Sequence, residues 1–216
     1  MKAVIFDMDG LMIDSERVTF RCCRKALQPM GLDMSEDFYK QMLGRSQTEV
    51  LGLYQRNYGE DFPYESYITE TFVYLKDYYN AHGVPVKKGL TDLLTALKAH
   101  DIKCAVASSS PRERVSDTLT RAGVIAFFDA MVCGDEVKRS KPDPEIFLTA
   151  CTKLSVSPQD ALVLEDSENG ILCAHRAGIP VICVPDMKVP AKEFADLTDG
   201  VLDSLRDVKA RLFPGT

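Results

Sequence analysis

Asp7 and Asp9 stand two residues apart in VIFDMDG, residues 4–10, where an apolar run ends in paired carboxylates and a glycine. Two more acids, Glu165 and Asp166, close the apolar run ALVLED at 161–166. Lys141 lies in RSKPDPEIF, and Ser108 opens the run Ser108-Ser109-Ser110 ahead of Pro111. Like charges about 4 Å apart repel by about 4 kcal/mol at an effective dielectric near 20. Three or four carboxylates on one rim therefore call for protonation or a cation. A hard divalent ion such as Mg²⁺ suits them, because it takes one or two carboxylates together with waters and phosphate oxygens. That combination fits phosphoryl transfer. One carboxylate attacks phosphorus and becomes an aspartyl phosphate. A second protonates the leaving oxygen and later activates water. Asp7, at the strand end, suits the nucleophile, and Asp9 suits the acid/base. Gly10 suits a sharp turn beside the ligand. An acidic strand end, a solvated lysine and a well-capped helix are the alternatives for the separate pieces.

The elements that must position these groups can be read from hydrophobic runs. Strands are expected at 2–7, 103–108, 130–133, 161–166 and 180–184, and helices near 89–99, 111–122, 143–153 and 168–177. Short, almost continuous apolar strands alternating with helices imply parallel βαβ units buried on both faces. The expected fold class is therefore α/β, with a doubly wound, Rossmann-like parallel sheet. Such sheets carry ligands beyond the carboxyl ends of their strands. Asp7, Ser108, Glu165 and Asp166 all fall there, and Lys141 follows the strand at 130–133. Ser110 and Glu113 have the form of a capping box with Pro111 first in the helix. The free N–H groups of that helix, with Ser108, would make an anion site. Asp143 and Pro144 read as the opening of the next helix.

Residues 15–83 differ, having no strand run. Ile68, Phe72, Leu75 and Tyr79 recur at helical spacing, Ser46 to Glu49 has the form of a capping box, and Ser35 and Asp14-Ser15 are N-cap candidates. An all-helical insertion at 15–83 is expected, interrupting a core made of 1–14 and 84–216.

The 216 residues carry a net charge of −6 with 45% hydrophobic and 27% charged residues. An acidic chain with an ordinary apolar share is expected to be globular, with neither a nucleic-acid surface nor an anionic membrane as partner. No apolar run approaches the roughly 18 residues of a membrane span, and the N-terminal residues lack the core of a secretory leader. A cytoplasmic monomer acting on a small phosphorylated molecule is expected. The seven cysteines form no C-x-x-C pair and read as buried thiols, and His82, His100 and His175 are too scattered for zinc.

Taken together, DMDG, VASSS, SKPDP and LEDSENG resemble the four motifs of the haloacid dehalogenase superfamily, in its phosphatase and phosphomutase branch, and the resemblance spans essentially the whole chain. It implies Asp7 as nucleophile and Asp9 as acid/base. Ser108, Ser109 and Lys141 would bind phosphate. Mg²⁺ would be held among Asp7, Asp9, Glu165 and Asp166, mainly by Asp7, Asp166 and the backbone carbonyl of Asp9. It also implies that the insertion is a helical cap closing over the site. Asp9 argues against dehalogenation, since the dehalogenases lack the second aspartate. The nearest subgroup resembles the beta-phosphoglucomutase-like proteins. The mutase's first-helix histidine is replaced here by Thr19, and its cap arginine by Gln47, with Arg45 directly after Gly44. Lys76 matches a cap lysine. Arg45 and Lys76 are the expected substrate contacts of the cap. The reading is an Mg²⁺-dependent sugar-phosphate phosphatase. A phosphomutase is the alternative, and a non-catalytic phosphoacceptor module a more distant one.

Overall fold

The computed structural model describes residues 1–43, 45 and 47–215, with the side chain of Gln47 excepted. Gly44 and the capping box read at Ser46 therefore lie outside the described residues. The chain forms two compact units, Met1–Asp14 with Val84–Thr216, and Ser15–Gly83.

In the first unit a six-stranded, all-parallel sheet runs in the order β3-β2-β1-β4-β5-β6. The strands are β1 (Ala3–Phe6), β2 (Lys103–Ser108), β3 (Ala130–Cys133), β4 (Ala161–Glu165), β5 (Val181–Cys183) and β6 (Gly200–Val201). Ile5 is in register with Ala105 on one side and Val163 on the other. β1 is thus the central strand at which the winding reverses, the place where open α/β sheets leave a crevice. Its side chains alternate between two cores. Val4 and Phe6 join Leu90, Leu93, Leu97 and Val208, while Ala3 and Ile5 join Phe147, Ala150, Ile171 and Ala174. All four β1 residues are fully buried. Each large apolar side chain so buried contributes about 1.5–3 kcal/mol, so the strand that carries Asp7 is among the least movable parts of the unit. Where the chain leaves and re-enters this unit, Ile13 pairs antiparallel with Val86, and the Asp14 N–H donates to the Pro85 carbonyl at 2.9 Å.

The second unit is helical: α1 (Ser15–Leu27), α2 (Glu36–Lys40), α3 (Gln47–Tyr58) and α4 (Tyr64–His82). Ser35 caps α2, accepting the Phe38 N–H at 3.1 Å. Its core is aromatic, with Tyr54 and Tyr67 sharing a 2.8 Å hydroxyl hydrogen bond. The expected stripe on α4 is corrected. Leu75 and Tyr79 are buried, but with Tyr67 and Thr71, while Phe72 is 48% exposed. The buried row runs in strict steps of four. Ile68 and Phe72 sit one residue further round the helix, and the Thr71 hydroxyl satisfies itself on the Tyr67 carbonyl at 2.9 Å.

Returning to the first unit, the remaining helices are α5 (Leu90–Ala99), α6 (Arg112–Arg121), α7 (Glu145–Leu154), α8 (Glu168–Arg176), α9 (Lys192–Ala195) and α10 (Leu205–Leu212). All seven cysteines are buried thiols. Among the described residues no helix is long and apolar enough to cross a membrane.

Candidate active site

Asp7 follows β1 directly, and its N–H extends the ladder to the Leu164 carbonyl at 3.1 Å. Lys141 reaches it from the loop before α7. The ammonium donates to Asp7 Oδ1 at 2.6 Å, to Glu165 Oε1 at 2.6 Å and to the Ala107 carbonyl at 3.1 Å. Those three bonds use its three donors. The Phe147 ring lies 4.8 Å away, closing the apolar side. The Lys141 loop is pinned in turn: Arg176 donates to the Pro142 carbonyl, and Cys173 Sγ to the Asp143 carbonyl.

Two buried carboxylates thus share one cation. Burial, with Glu165 and Asp9 adding to it, pushes Asp7 up to about 7 despite the lysine's opposing pull. Burial alone would lower Lys141, but Asp7 and Glu165 hold it well above its ordinary value.

Glu165, one of the acids expected at a metal, is committed elsewhere. Besides Lys141, it accepts the N–H groups of Asp166 and Ser167 at 2.9 Å each and the Ser167 hydroxyl at 3.0 Å. Gly170, in the first turn of α8, makes room for it; a Cβ there would overlap the Glu165 carboxyl group. The Asp166 carboxylate instead lies against Gly10, whose φ is +81° and whose missing Cβ would overlap Asp166 Oδ2. Asp166 is thereby set beside the turn carrying the Asp9 carbonyl.

The Ser108–Glu113 segment departs from expectation. The Ser110–Glu113 capping box does not form. α6 begins at Arg112, with Pro111 as an extended N-cap that offers no side-chain bond. Its cap is Asp135, from the turn after β3, whose two oxygens accept the Arg112 N–H at 3.1 and 3.2 Å. Ser108 is buried and accepts the Ser110 N–H at 3.1 Å. The expected anion site therefore loses the N–H groups of Ser110 and Arg112, while Ser109 is exposed. Asp143 does support α7, accepting the Glu145 N–H at 3.0 Å, but the helix starts one residue later than expected, with Pro144 as its N-cap.

Ser110 and Arg114 instead grip Asp9. The Ser110 hydroxyl donates to Asp9 Oδ2 at 3.0 Å, and Arg114 Nη2 donates to Oδ1 at 2.8 Å. Arg114 Nη1 also donates to Ser110 Oγ at 2.7 Å. Arg114 escaped the sequence reading; its only local signal is the four-residue spacing from Ser110. Arg45 and Lys76 are exposed residues of the second unit.

Among the described residues, one group of potential metal-ligand side chains has its atoms all within 4.8 Å of one another: Cys133, Asp135 and Glu136. Its acids already serve α6 and α7. Glu136 accepts from Arg112, Lys153 and the Cys133 N–H. Burial opposes the shift, but Lys153 and Arg112 hold its carboxyl down to about 2.

A family model described as haloacid dehalogenase-like hydrolase matches residues 4–184. A phosphorylated carbohydrates phosphatase of Thermotoga maritima is 32% identical over 215 residues, covering 100% of this chain and 92% of its own. Among solved structures, CbbY from Rhodobacter sphaeroides in complex with phosphate superimposes with a TM-score of 0.82 at 25% identity, over 96% of each chain. A beta-phosphoglucomutase from Clostridium difficile gives 0.79 at 25% identity, over 98% of this chain and 95% of that one.

Proposed function

Because this chain belongs to the haloacid dehalogenase-like hydrolase family, and is a phosphomonoester hydrolase, we propose that it cleaves a small phosphorylated metabolite, a sugar phosphate, through an aspartyl phosphate on Asp7. The observation carrying this reading is the clamp of Lys141 on Asp7 and Glu165, which fixes a buried carboxylate at the end of the central strand.

In the first step an Asp7 oxygen bonds to phosphorus while the bond from phosphorus to the ester oxygen breaks. Asp9 donates its proton to that leaving oxygen. In the second step Asp9 takes a proton from water, whose oxygen bonds to phosphorus. The acyl phosphate breaks, regenerating Asp7 and releasing inorganic phosphate. Lys141 keeps Asp7 oriented through both steps, with Ser108 and Ser109 as phosphate donors. Glu165 anchors Lys141 rather than serving as a ligand.

The donor set fits Mg²⁺. Asp7, Asp166 and the Asp9 carbonyl are all hard oxygens, Gly10 lets Asp166 approach that turn, and burial with the neighbouring Glu165 and Asp9 raises Asp7, as crowded carboxylates do. When bound, the ion supplies charge neutralisation of the phosphate dianion. Residues 15–83 are proposed as the helical cap, with Arg45 and Lys76 as substrate contacts.

A phosphate-release screen over phosphorylated metabolites with Mg²⁺ tests the reading. Release that disappears in Asp7→Asn supports it; undiminished release in that variant overturns it. The likeness to a beta-phosphoglucomutase favours a second reading, a phosphomutase. Beta-glucose 1-phosphate with a bisphosphate primer separates the two: glucose 6-phosphate as product marks the mutase, free phosphate the hydrolase.

A further inference from the structure

We infer that Arg114 is a positioning residue for Asp9, an assignment that rests on the phosphatase reading above. The acid/base carboxylate must meet the ester oxygen in one step and a water oxygen in the next. Both occupy the same side of phosphorus. A side chain only 22% exposed but otherwise free to rotate would lose that alignment between steps. Here both oxygens are held, Oδ1 by Arg114 and Oδ2 by Ser110, and Arg114 also fixes the Ser110 hydroxyl. The three groups close a ring of hydrogen bonds, so neither Asp9 nor Ser110 turns without breaking a contact to the guanidinium. Arg114 is built into the first turn of α6, which Asp135 caps. The grip is therefore anchored to β2 and β3 rather than to the β1 turn that Asp9 itself occupies. The planar guanidinium offers two separate donors to two acceptors; a lysine offers a point charge.

The test compares kcat/KM for two monoesters, glucose 6-phosphate and p-nitrophenyl phosphate, because kcat/KM reports the step in which the ester oxygen leaves. An alkoxide leaving group needs a proton from Asp9; nitrophenolate leaves without one. Arg114→Gln should lower kcat/KM for glucose 6-phosphate about 10–100-fold and for p-nitrophenyl phosphate less than about 3-fold. Arg114→Lys should fall between wild type and Arg114→Gln. In an Asp9→Asn background Arg114→Gln should add no further loss, as for residues acting as one unit. Parallel losses on both esters, or a full additional loss in the Asp9→Asn background, overturn the inference and assign Arg114 to substrate binding or to the fold. If Arg114→Gln does not fold by circular dichroism, the ratio of the two esters in Arg114→Lys decides by the same criterion. Where glucose 6-phosphate is not turned over, the alkyl monoester cleaved fastest in the metabolite screen takes its place; a wild type that releases phosphate from no ester of that screen removes the phosphatase reading, and this inference with it.

Discussion

Lys141 Nζ lies 2.6 Å from Asp7 Oδ1, and the two side chains are only 7% and 11% exposed. The same ammonium lies 2.6 Å from Glu165 Oε1. One cation thus balances two buried carboxylates drawn from the ends of adjacent strands, β1 and β4. The lysine is therefore a structural member of the first unit.

Removing it leaves two buried carboxylates without their shared cation. Breaking a buried ion pair from one side typically costs about 3–5 kcal/mol. Lys141→Met should lower the urea unfolding free energy by about that amount at pH 8 in chelator. At pH 5 the loss should shrink, because Asp7 can then take a proton. A loss that is equal at both pH values would mean that the lysine's packing, not its charge, stabilises the unit.

Asp7 itself gives stability a pH slope. Its folded value is raised from 3.8 to about 7. Below 3.8 both folded and unfolded chains hold the proton, and nothing is lost. Between 3.8 and 7 the folded chain binds more protons, so stability falls as pH rises, and it levels off above 7. Between pH 5 and pH 8 this amounts to roughly 2–3 kcal/mol at 1.36 kcal/mol per unit. Asp7→Asn should remove that part of the slope in urea titrations of chelated protein. A wild type and variant with parallel pH dependence would contradict it.

Gly170→Ala tests how tightly Glu165 is placed. In an exposed helix this change stabilises by about 1 kcal/mol. In α8 the new Cβ would overlap the Glu165 carboxyl group, so the sign should reverse, with a loss of about 1–3 kcal/mol. Thermal melts check the stability, and phosphate release should fall with it because Glu165 anchors Lys141. A raised melting temperature with full turnover would show that Glu165 can move freely.

Five of the six strands were legible because each is a short apolar run bounded by polar residues. The sixth, Gly200–Val201, is two residues long and carries no pattern. Asp7, Ser108, Glu165 and Asp166 could be gathered from strand ends, since a parallel sheet brings those ends to one edge, and Lys141 from the loop that follows β3. What sequence could not show was pairing across distance. Asp9 and Arg114 are 105 residues apart, and Asp135 caps a helix residue 23 positions before it. Ser110 looked like a helix cap because its hydroxyl can satisfy a local N–H or a remote acid; the remote acid won. The same ambiguity affects Glu165. A second acid at a strand end reads as a metal ligand until its oxygens are counted against Lys141 and the N–H groups opening α8.

That count leaves Asp166 as the β4-end acid for the proposed Mg²⁺. Gly10 admits its carboxylate beside the turn that carries Asp9, and Asp166→Asn keeps nearly the same shape while removing the charge. The Mg²⁺ concentration for half-maximal phosphate release should rise by at least about 10-fold in the variant. Calorimetry gives a readout independent of turnover. The melting temperature of the wild type should climb with added Mg²⁺, as any ligand of the folded state requires, while that of Asp166→Asn should climb far less over the same range. An unchanged Mg²⁺ response in both measurements would take Asp166 out of the ligand set.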